Sequence, residues 1–488
     1  MSGSRPSRRR GTVDAARLAA YDVLVAVREQ DAYSNLLAPP LLRWRGITGR
    51  DAAFATELAA GTIRRLGTYD AVLASCVDRG LERVDAAVLD ALRLGTHQLL
   101  AMRVPPHAAV GTTVDLVRSR IGHGPAGFVN AVLRKVSGRD VAGWLEAVAP
   151  DRAVDPIGHA SVVTSHPRWV VQALGEALLG RAAAADHWTA RADADPVERD
   201  QVRSMLEADN DPPRVTLVAR PGVCRVEELV AAGGEPGALS PYAVRLPGGD
   251  PGEIPAVAER RAGVQDEGSQ AVALALTRMP SDGPDARWLD LCAGPGGKSA
   301  LLAAVAAQRG ARVLAVERLE HRAALVASAT RAVRGGVLGV LTADGIRPAW
   351  REGMFDRVLV DAPCSGLGAL RRRPEARWRR RPADLDKLVP LQRALLTTAV
   401  ESVRPGGVVA YVTCSPVLTE TSGVVQAVLA ERSDVRLEDA TELIPDAPGP
   451  MPGTVQLWPH LHGTDAMFLA LLRRGKPDPG ETLGSFSA

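Results

Sequence analysis

Trp288-Leu-Asp290-Leu-Cys292-Ala-Gly294-Pro-Gly296-Gly297-Lys298-Ser299 is the stretch that decides the fold. A short apolar run gives way to three glycines and then to a helical pattern over 297–308, which reads as buried strand, sharp loop and helix start. Two other apolar runs end on a cysteine in the same way: Arg357-Val-Leu-Val-Asp361-Ala-Pro-Cys364 and Val408-Val-Ala-Tyr-Val-Thr413-Cys414. Near-continuous apolar runs of this length suit strands buried on both faces. The pattern predicts strands over 288–292, 312–317, 338–342, 356–361, 407–413 and 467–472. Helical patterns over 297–308, 319–333, 384–402 and 420–431 alternate with them. That order points to a parallel sheet with right-handed crossovers, which binds ligands just beyond the carboxyl ends of its strands. Three of the chain's five cysteines fall at that edge. Cysteine is the strongest side-chain nucleophile at neutral pH, so an α/β enzyme with thiol chemistry is expected.

Outward from this core, the 488 residues are too many for one ordinary domain. Residues 12–145 read as an all-helical bundle: Ala16, Ala19, Ala20, Val23, Leu24 and Val27 share one helical face, Val88, Leu92, Gly95 and Leu99 another, and Val129, Val132, Leu133 and Val136 a third. Residues 146–262 are mixed, with helical patterns near 167–180 and 196–208 and a strand-like Arg214-Val-Thr-Leu-Val218 among Gly and Pro turns, and are expected to form a small α+β region. The α/β domain spans 263–475. Residues 1–11 and 476–488 are expected to be flexible tails. Five cysteines without paired spacing argue against a disulfide framework and for a reducing cytoplasm. No run is apolar enough to span a membrane, and no secretory signal opens the chain. A formal charge of +3 permits a nucleic-acid partner without requiring one. Only Lys135, Lys298, Lys387 and Lys476 interrupt a basic complement that is otherwise arginine. A lysine inside a motif then signals a need for the compact ammonium.

The glycine loop fits neither a phosphate P-loop nor a dinucleotide fingerprint, because Lys298 and Ser299 follow too soon. A loop at a helix N-terminus suits an amino-acid carboxylate. Glu317 ends the next strand, where an acid can hold ribose hydroxyls, and Asp344 follows the third strand, at an adenine edge. Together they suit S-adenosylmethionine. Cys364 stands after Asp361-Ala-Pro, where amino-group methyltransferases carry an aromatic. A thiol there suggests attack on a pyrimidine: addition to carbon 6 of cytosine makes carbon 5 nucleophilic, and Asp361 is placed to promote the addition as an acid. Cys414 follows the neighbouring strand, and the residues alone do not rank the two thiols. No cysteine or histidine spacing suggests a metal site. Arg371-Arg372-Arg373-Pro-Glu-Ala-Arg377-Trp378-Arg-Arg-Arg381 follows the Cys364 motif, and its arginines and Trp378 are expected to meet phosphates and a base of a nucleic acid.

These motifs resemble the Nop/Sun family of RNA cytosine-5 methyltransferases. The likeness is carried by Gln265-Asp-Glu-Gly-Ser-Gln270, by the 289–298 loop, by Asp361-Ala-Pro-Cys-Ser-Gly-Leu-Gly368, by Thr413-Cys-Ser415, and by Trp458-Pro-His460 through Gly463-Thr-Asp465 to Phe468. The resemblance implies a Rossmann-like methyltransferase sheet. It implies cofactor contacts from Cys292, Ala293, Gly294, Pro295, Gly296, Gly297, Lys298, Glu317, Asp344 and Asp361, with Cys414 as nucleophile and Cys364 assisting product release. Leu92-Arg-Leu-Gly-Thr-His-Gln-Leu-Leu100, Pro105-Pro-His-Ala108 and Phe128-Val-Asn-Ala-Val-Leu-Arg-Lys135 resemble the antitermination factor NusB. A NusB-like domain fused to such a sheet resembles the RsmB (Fmu/Sun) branch, which methylates a cytosine of bacterial 16S ribosomal RNA, with no obligate protein partner implied. Gly294 and Thr421 depart from that family's more common Ala and Asn. The alternatives are another RNA target, such as transfer RNA, and a non-enzymatic RNA-binding protein.

Overall fold

The computed structural model describes residues 14–78, 80–180 and 196–475, without the side chains of 196–199. The expected tails at 1–11 and 476–488 lie outside the described residues. Two compact units divide the chain. The first holds the described residues up to Gln172, then those up to Asn210, and also Arg372–Arg379. The second takes the helix end from Ala173, then Asp211–Arg371 and the described residues from Arg380.

The first unit is helical. Four of its helices start on an aspartate: Asp14, Asp85, Asp140 and Asp155 each accept a backbone N–H from the first turn, which satisfies a donor that the helix leaves unpaired. The three faces read from the sequence line its core, where Leu92, Val129, Leu133 and Val136 are fully buried beside Leu58, Val72 and Leu116. Each such side chain contributes ~1.5–3 kcal/mol by leaving water. Helices continue past 145, through Val141–Val148, Pro156–Thr164, Arg168–Leu178 and Pro196–Ala208.

The second unit carries two sheets. The smaller has strands β1 (Thr216–Ala219), β2 (Glu235–Pro236), β3 (Ala243–Arg245) and β4 (Ala262–Val264), in the order β2-β3-β1-β4, all antiparallel. It is not a separate body. Val218 joins the same apolar cluster as Trp288 and Leu301, Gln270 Nε2 donates to Leu217 O at 3.2 Å, and Arg245 pairs with the buried Glu267 at 2.6 Å. The region read as one small α+β stretch over 146–262 is divided between the units. The described residues from 146 to Gln172 and from 196 to Asn210 fall in the first, and Asp211 onward, with the four short strands and the helices Val226–Ala231 and Pro255–Ala258, in the second.

The larger sheet contains β5 (Arg287–Asp290), β6 (Arg312–Glu317), β7 (Val337–Thr342), β8 (Phe355–Asp361), β9 (Val403–Thr413), β10 (Val435–Glu438), β11 (Val455–Gln456) and β12 (Phe468–Arg474). Its order is β10-β12-β9-β8-β5-β6-β7, with β11 on β12. The segment β9-β8-β5-β6-β7 is parallel, as expected. The far side is not: β12 runs antiparallel to β9, with Phe468 opposite Thr413, and β10 and β11 are antiparallel to β12. This is a mixed Rossmann-like sheet. β5, β8 and β9 end side by side, so Asp290, Asp361 and Thr413 reach one edge. Gly296 turns the β5 loop into the helix Gly297–Gln308 with φ +107°. A Cβ there would lie 2.9 Å from the Val326 backbone, so both conformation and space require glycine.

Candidate active site

The loop after β5 is held by its own backbone. Ala293 N donates to Val316 O at 2.8 Å and Gly296 N to Ala293 O at 2.7 Å. No side chain caps the helix that follows, so its first N–H groups and its positive end face the loop. Glu317, at the end of β6, accepts from Gly294 N and Leu319 N, each at 3.0 Å. Arg322 secures the same loop by donating to Gly294 O at 2.7 Å. Asp344 follows β7 and accepts from Ile346 N at 3.2 Å. These positions fit S-adenosylmethionine: an uncapped helix N-terminus for the carboxylate of its methionine half, and acids at two successive strand ends for its nucleoside.

Beneath the loop lies a group that no single motif announces. Asp290 is fully buried, accepts from Ser299 Oγ at 2.6 Å, and has no partner for its second carboxyl oxygen. Burial, with the nearby Asp361 charge, pushes its pKa up to about 7. Cys292, next along, is also pushed well up, by burial and then by Asp290, Asp361 and Glu317. The third edge cysteine therefore stays a neutral thiol and suits a lining role rather than attack.

The other two cysteines meet. Cys364 Sγ lies 3.4 Å from Cys414 Sγ. The loops that carry them converge on Glu420, itself fully buried. Ser365 N and Gln392 Nε2 donate to one carboxylate oxygen at 2.8 and 2.9 Å, and Ser365 Oγ and Ser415 Oγ to the other at 2.5 and 2.6 Å. The residue after each cysteine is thus tied to one carboxylate, which fixes the sulfur pair. Gly368 closes the arrangement: its N–H donates to Cys414 O at 2.9 Å, and a Cβ on it would collide with the carbonyl oxygen of Ala466.

Electrostatics couples the thiols. Cys364 is pushed well above the ordinary thiol range, first by its hydrogen bond to Cys414 and then by burial. The two sulfurs share one contact in which either can donate. Lys298 donates to Asp361 at 2.8 Å. Burial works against its ammonium, but Asp361 and the Cys414 charge hold its pKa above the ordinary value. Asp361 is therefore one member of an ion pair rather than the lone acid expected. Lys298, Asp361, Cys364 and Cys414 form one cluster, and among the described residues no group of metal-binding side chains gathers.

The arginine-rich run is placed differently from the expectation. Arg371 is buried, donates to Gly463 O at 2.9 Å and faces Asp266 and Asp465. Arg377 is fully buried and donates to Ser165 O, Asn210 Oδ1 and Asp209 O at 3.1, 2.8 and 3.1 Å. Trp378 donates to Ile63 O at 2.9 Å. Arg373 stacks over Tyr33 at 5.0 Å, and Arg372 is half-buried. Arginine forks that cap buried carbonyls are structural, and a charge run alone does not distinguish that use from a phosphate-facing one. Glu420, Gln392 and the two serines also lacked a signal, since each matters only through contacts far away in sequence.

Known proteins place this geometry. Residues 276–473 match the family model for 16S rRNA methyltransferase RsmB/F, and residues 14–138 match the NusB family. The chain is 52% identical over 96% of its length, and 99% of the relative's, to the putative methyltransferase Rv1407 of Mycobacterium tuberculosis. It is 32% identical, over 89% of its own length and 93% of the relative's, to ribosomal RNA small subunit methyltransferase B of Sodalis glossinidius. The crystal structure of PH0851 shares the fold at a TM-score of 0.75 and 20% identity, covering 96% of this chain and all 100% of that one. The chain belongs to the 16S rRNA methyltransferase RsmB/F family, with a NusB helical domain ahead of its catalytic sheet and S-adenosylmethionine as its methyl donor.

Proposed function

We propose that this RNA methyltransferase acts on carbon 5 of a cytosine in 16S ribosomal RNA, through a covalent bond from Cys414 to carbon 6. The observation that carries the reading is the thiol pair, 3.4 Å apart, at the ends of two adjacent strands. Methylation of an exocyclic amine needs no thiol; methylation of a pyrimidine carbon does, because carbon 5 is otherwise a poor nucleophile. Cys414, as a thiolate favoured by the Lys298 ammonium and by a hydrogen bond from Cys364, would be the group to add. S-adenosylmethionine, when bound, supplies an electrophilic methyl group. Addition of sulfur to carbon 6 places electron density on carbon 5, and the Lys298–Asp361 pair offers a proton to the ring. The proton on carbon 5 must then leave as the carbon–sulfur bond breaks. Once the Cys414 sulfur is bonded to carbon, its charge no longer holds the proton on Cys364. The Cys364 thiol then ionises more easily and serves as the base, and one proton is released overall.

The test is denaturing electrophoresis of variants with labelled 16S RNA and S-adenosylmethionine. Cys414→Ala is expected to give neither product nor a slow-migrating adduct. Cys364→Ala is expected to form the adduct and retain it. An adduct trapped by Cys414→Ala would reverse the assignment, and methylation mapped to a nitrogen would end the carbon-5 reading.

A further inference from the structure

We propose that the outer face of the helix Ser34–Trp44 is a platform for single-stranded RNA, on which Trp44 stacks a base while Arg43, Arg45 and Arg50 meet phosphates. The inference rests on RNA being the substrate and places a second contact with it outside the thiol site. Trp44 is 80% exposed. Among the other described tryptophans, Trp144, Trp288 and Trp458 are buried, and Trp169, Trp350 and Trp378 are half-buried. Trp44 is not an isolated exposure. Leu36, Pro40 and Trp44 stand four residues apart, with Pro39 and Arg43 between them, and all five are exposed on one helix face. The opposite face, through Ser34, Ala38 and Leu42, is buried in the helical core. Among the described residues of its unit, nothing covers Leu36, Pro40 and Trp44.

The charge around the stripe indicates what covers it. The Arg45 guanidinium lies 6.0 Å from the centre of the Trp44 ring. Arg45 is held at 2.5 Å by Asp22, which also takes Arg120 at 2.7 Å. That aspartate is therefore neutralised from two sides, and Arg45 is fixed near the indole. Arg43 is exposed one residue before the ring, and Arg50 is exposed in the first turn of the next helix, Gly49–Arg64. Trp and Arg are also favoured at protein interfaces, but the positive excess around this face calls for an anionic partner. An exposed aromatic framed by arginines is the arrangement that tracks an unpaired strand, with a ring for the base and cations for the backbone.

The experiment titrates the full chain, and its Trp44→Ala, Trp44→Phe and Arg43→Gln/Arg50→Gln variants, with a fluorescein-labelled polypyrimidine oligoribonucleotide at several salt concentrations. Trp44→Ala should weaken binding roughly tenfold, with an unchanged melting temperature because the side chain is exposed. Trp44→Phe should keep most of the affinity, since a ring remains. The double arginine variant should flatten the salt dependence by about 0.7 for each phosphate it no longer neutralises. Wild-type affinity in Trp44→Ala would overturn the inference. So would loss of self-association in that variant with RNA affinity intact, which would make the face a protein interface. A wild-type chain that methylates 16S RNA but ignores the oligonucleotide would overturn the platform alone. A chain that binds no RNA would overturn the proposed substrate with it.

Discussion

Cys364 and Cys414 have the same chemistry and nearly the same position, so the division of labour proposed for them must come from what surrounds each sulfur. On the proposed assignment, the Lys298 ammonium favours charge on Cys414, and the hydrogen bond between the sulfurs with burial keeps Cys364 a thiol. Lys298→Arg tests the ammonium. The bulkier, planar fork cannot occupy the same small space beside Asp361, so turnover should fall at least tenfold while folding is retained, as followed by methyl transfer and circular dichroism. Asp290 offers a pH test. Its native carboxyl keeps its proton to about pH 7, whereas an unfolded aspartate loses it near pH 4. The native state binds more protons between those values, so stability falls as pH rises through that window and levels off above it. Asp290→Asn should remove that fall. Its melting temperature should exceed the wild type's at pH 8, with the margin shrinking as pH falls and vanishing only below about pH 4; equal curves would place the titration elsewhere.

At the scale of elements, the ladder of β8 and β9 runs to Asp361 and Val412, and Glu420 joins the loops beyond it. One buried carboxylate accepts four hydrogen bonds from both thiol loops and from Gln392. Glu420→Ala would leave the buried Ser365 N–H without its acceptor and loosen both loops, although Ser365 Oγ still reaches Ser415 Oγ at 2.9 Å and Gln392 Nε2 still donates to Pro363 O at 2.8 Å. It should cost about 1–3 kcal/mol. Denaturant unfolding should show that loss, and methyl transfer should fail even where cofactor still binds. This carboxylate marks where legibility stops. The strand runs that end in Cys292, Cys364 and Cys414 are period and composition, so they could be read directly, and the sheet edge followed from them. Asp361 and Lys298 could be placed in the site, but not as an ion pair. The direction of β12 could not be read, because an apolar strand looks the same whichever way it runs. Glu420, Ser365 and Ser415 meet only after the fold has formed.

Across the whole molecule, the arginine-rich run shows how one composition can serve two ends. Arg377 caps carbonyls from residues 165 and 209 inside the helical unit. Burial there pulls its guanidinium down to about 9. Arg377→Ala should therefore lower the melting temperature by leaving those acceptors unpaired, at a cost of about 2–4 kcal/mol. RNA affinity should keep its salt slope. A flattened slope without destabilisation would return the residue to a phosphate-facing role.

The segment Arg372–Arg379 also sets an order of events during synthesis. The helices whose carbonyls Arg377 and Trp378 cap, and the Ser34 helix start that Glu375 holds at 2.8 Å, are made long before the residues that finish them. At ~5–20 residues per second, roughly ten seconds or more of translation separate Asn210 from Arg379. For that interval the helical unit waits on the ribosome with an unfilled slot where Arg377 and Trp378 belong. A chain released before Arg377 thus lacks the groups that cap carbonyls of a part of the molecule already made.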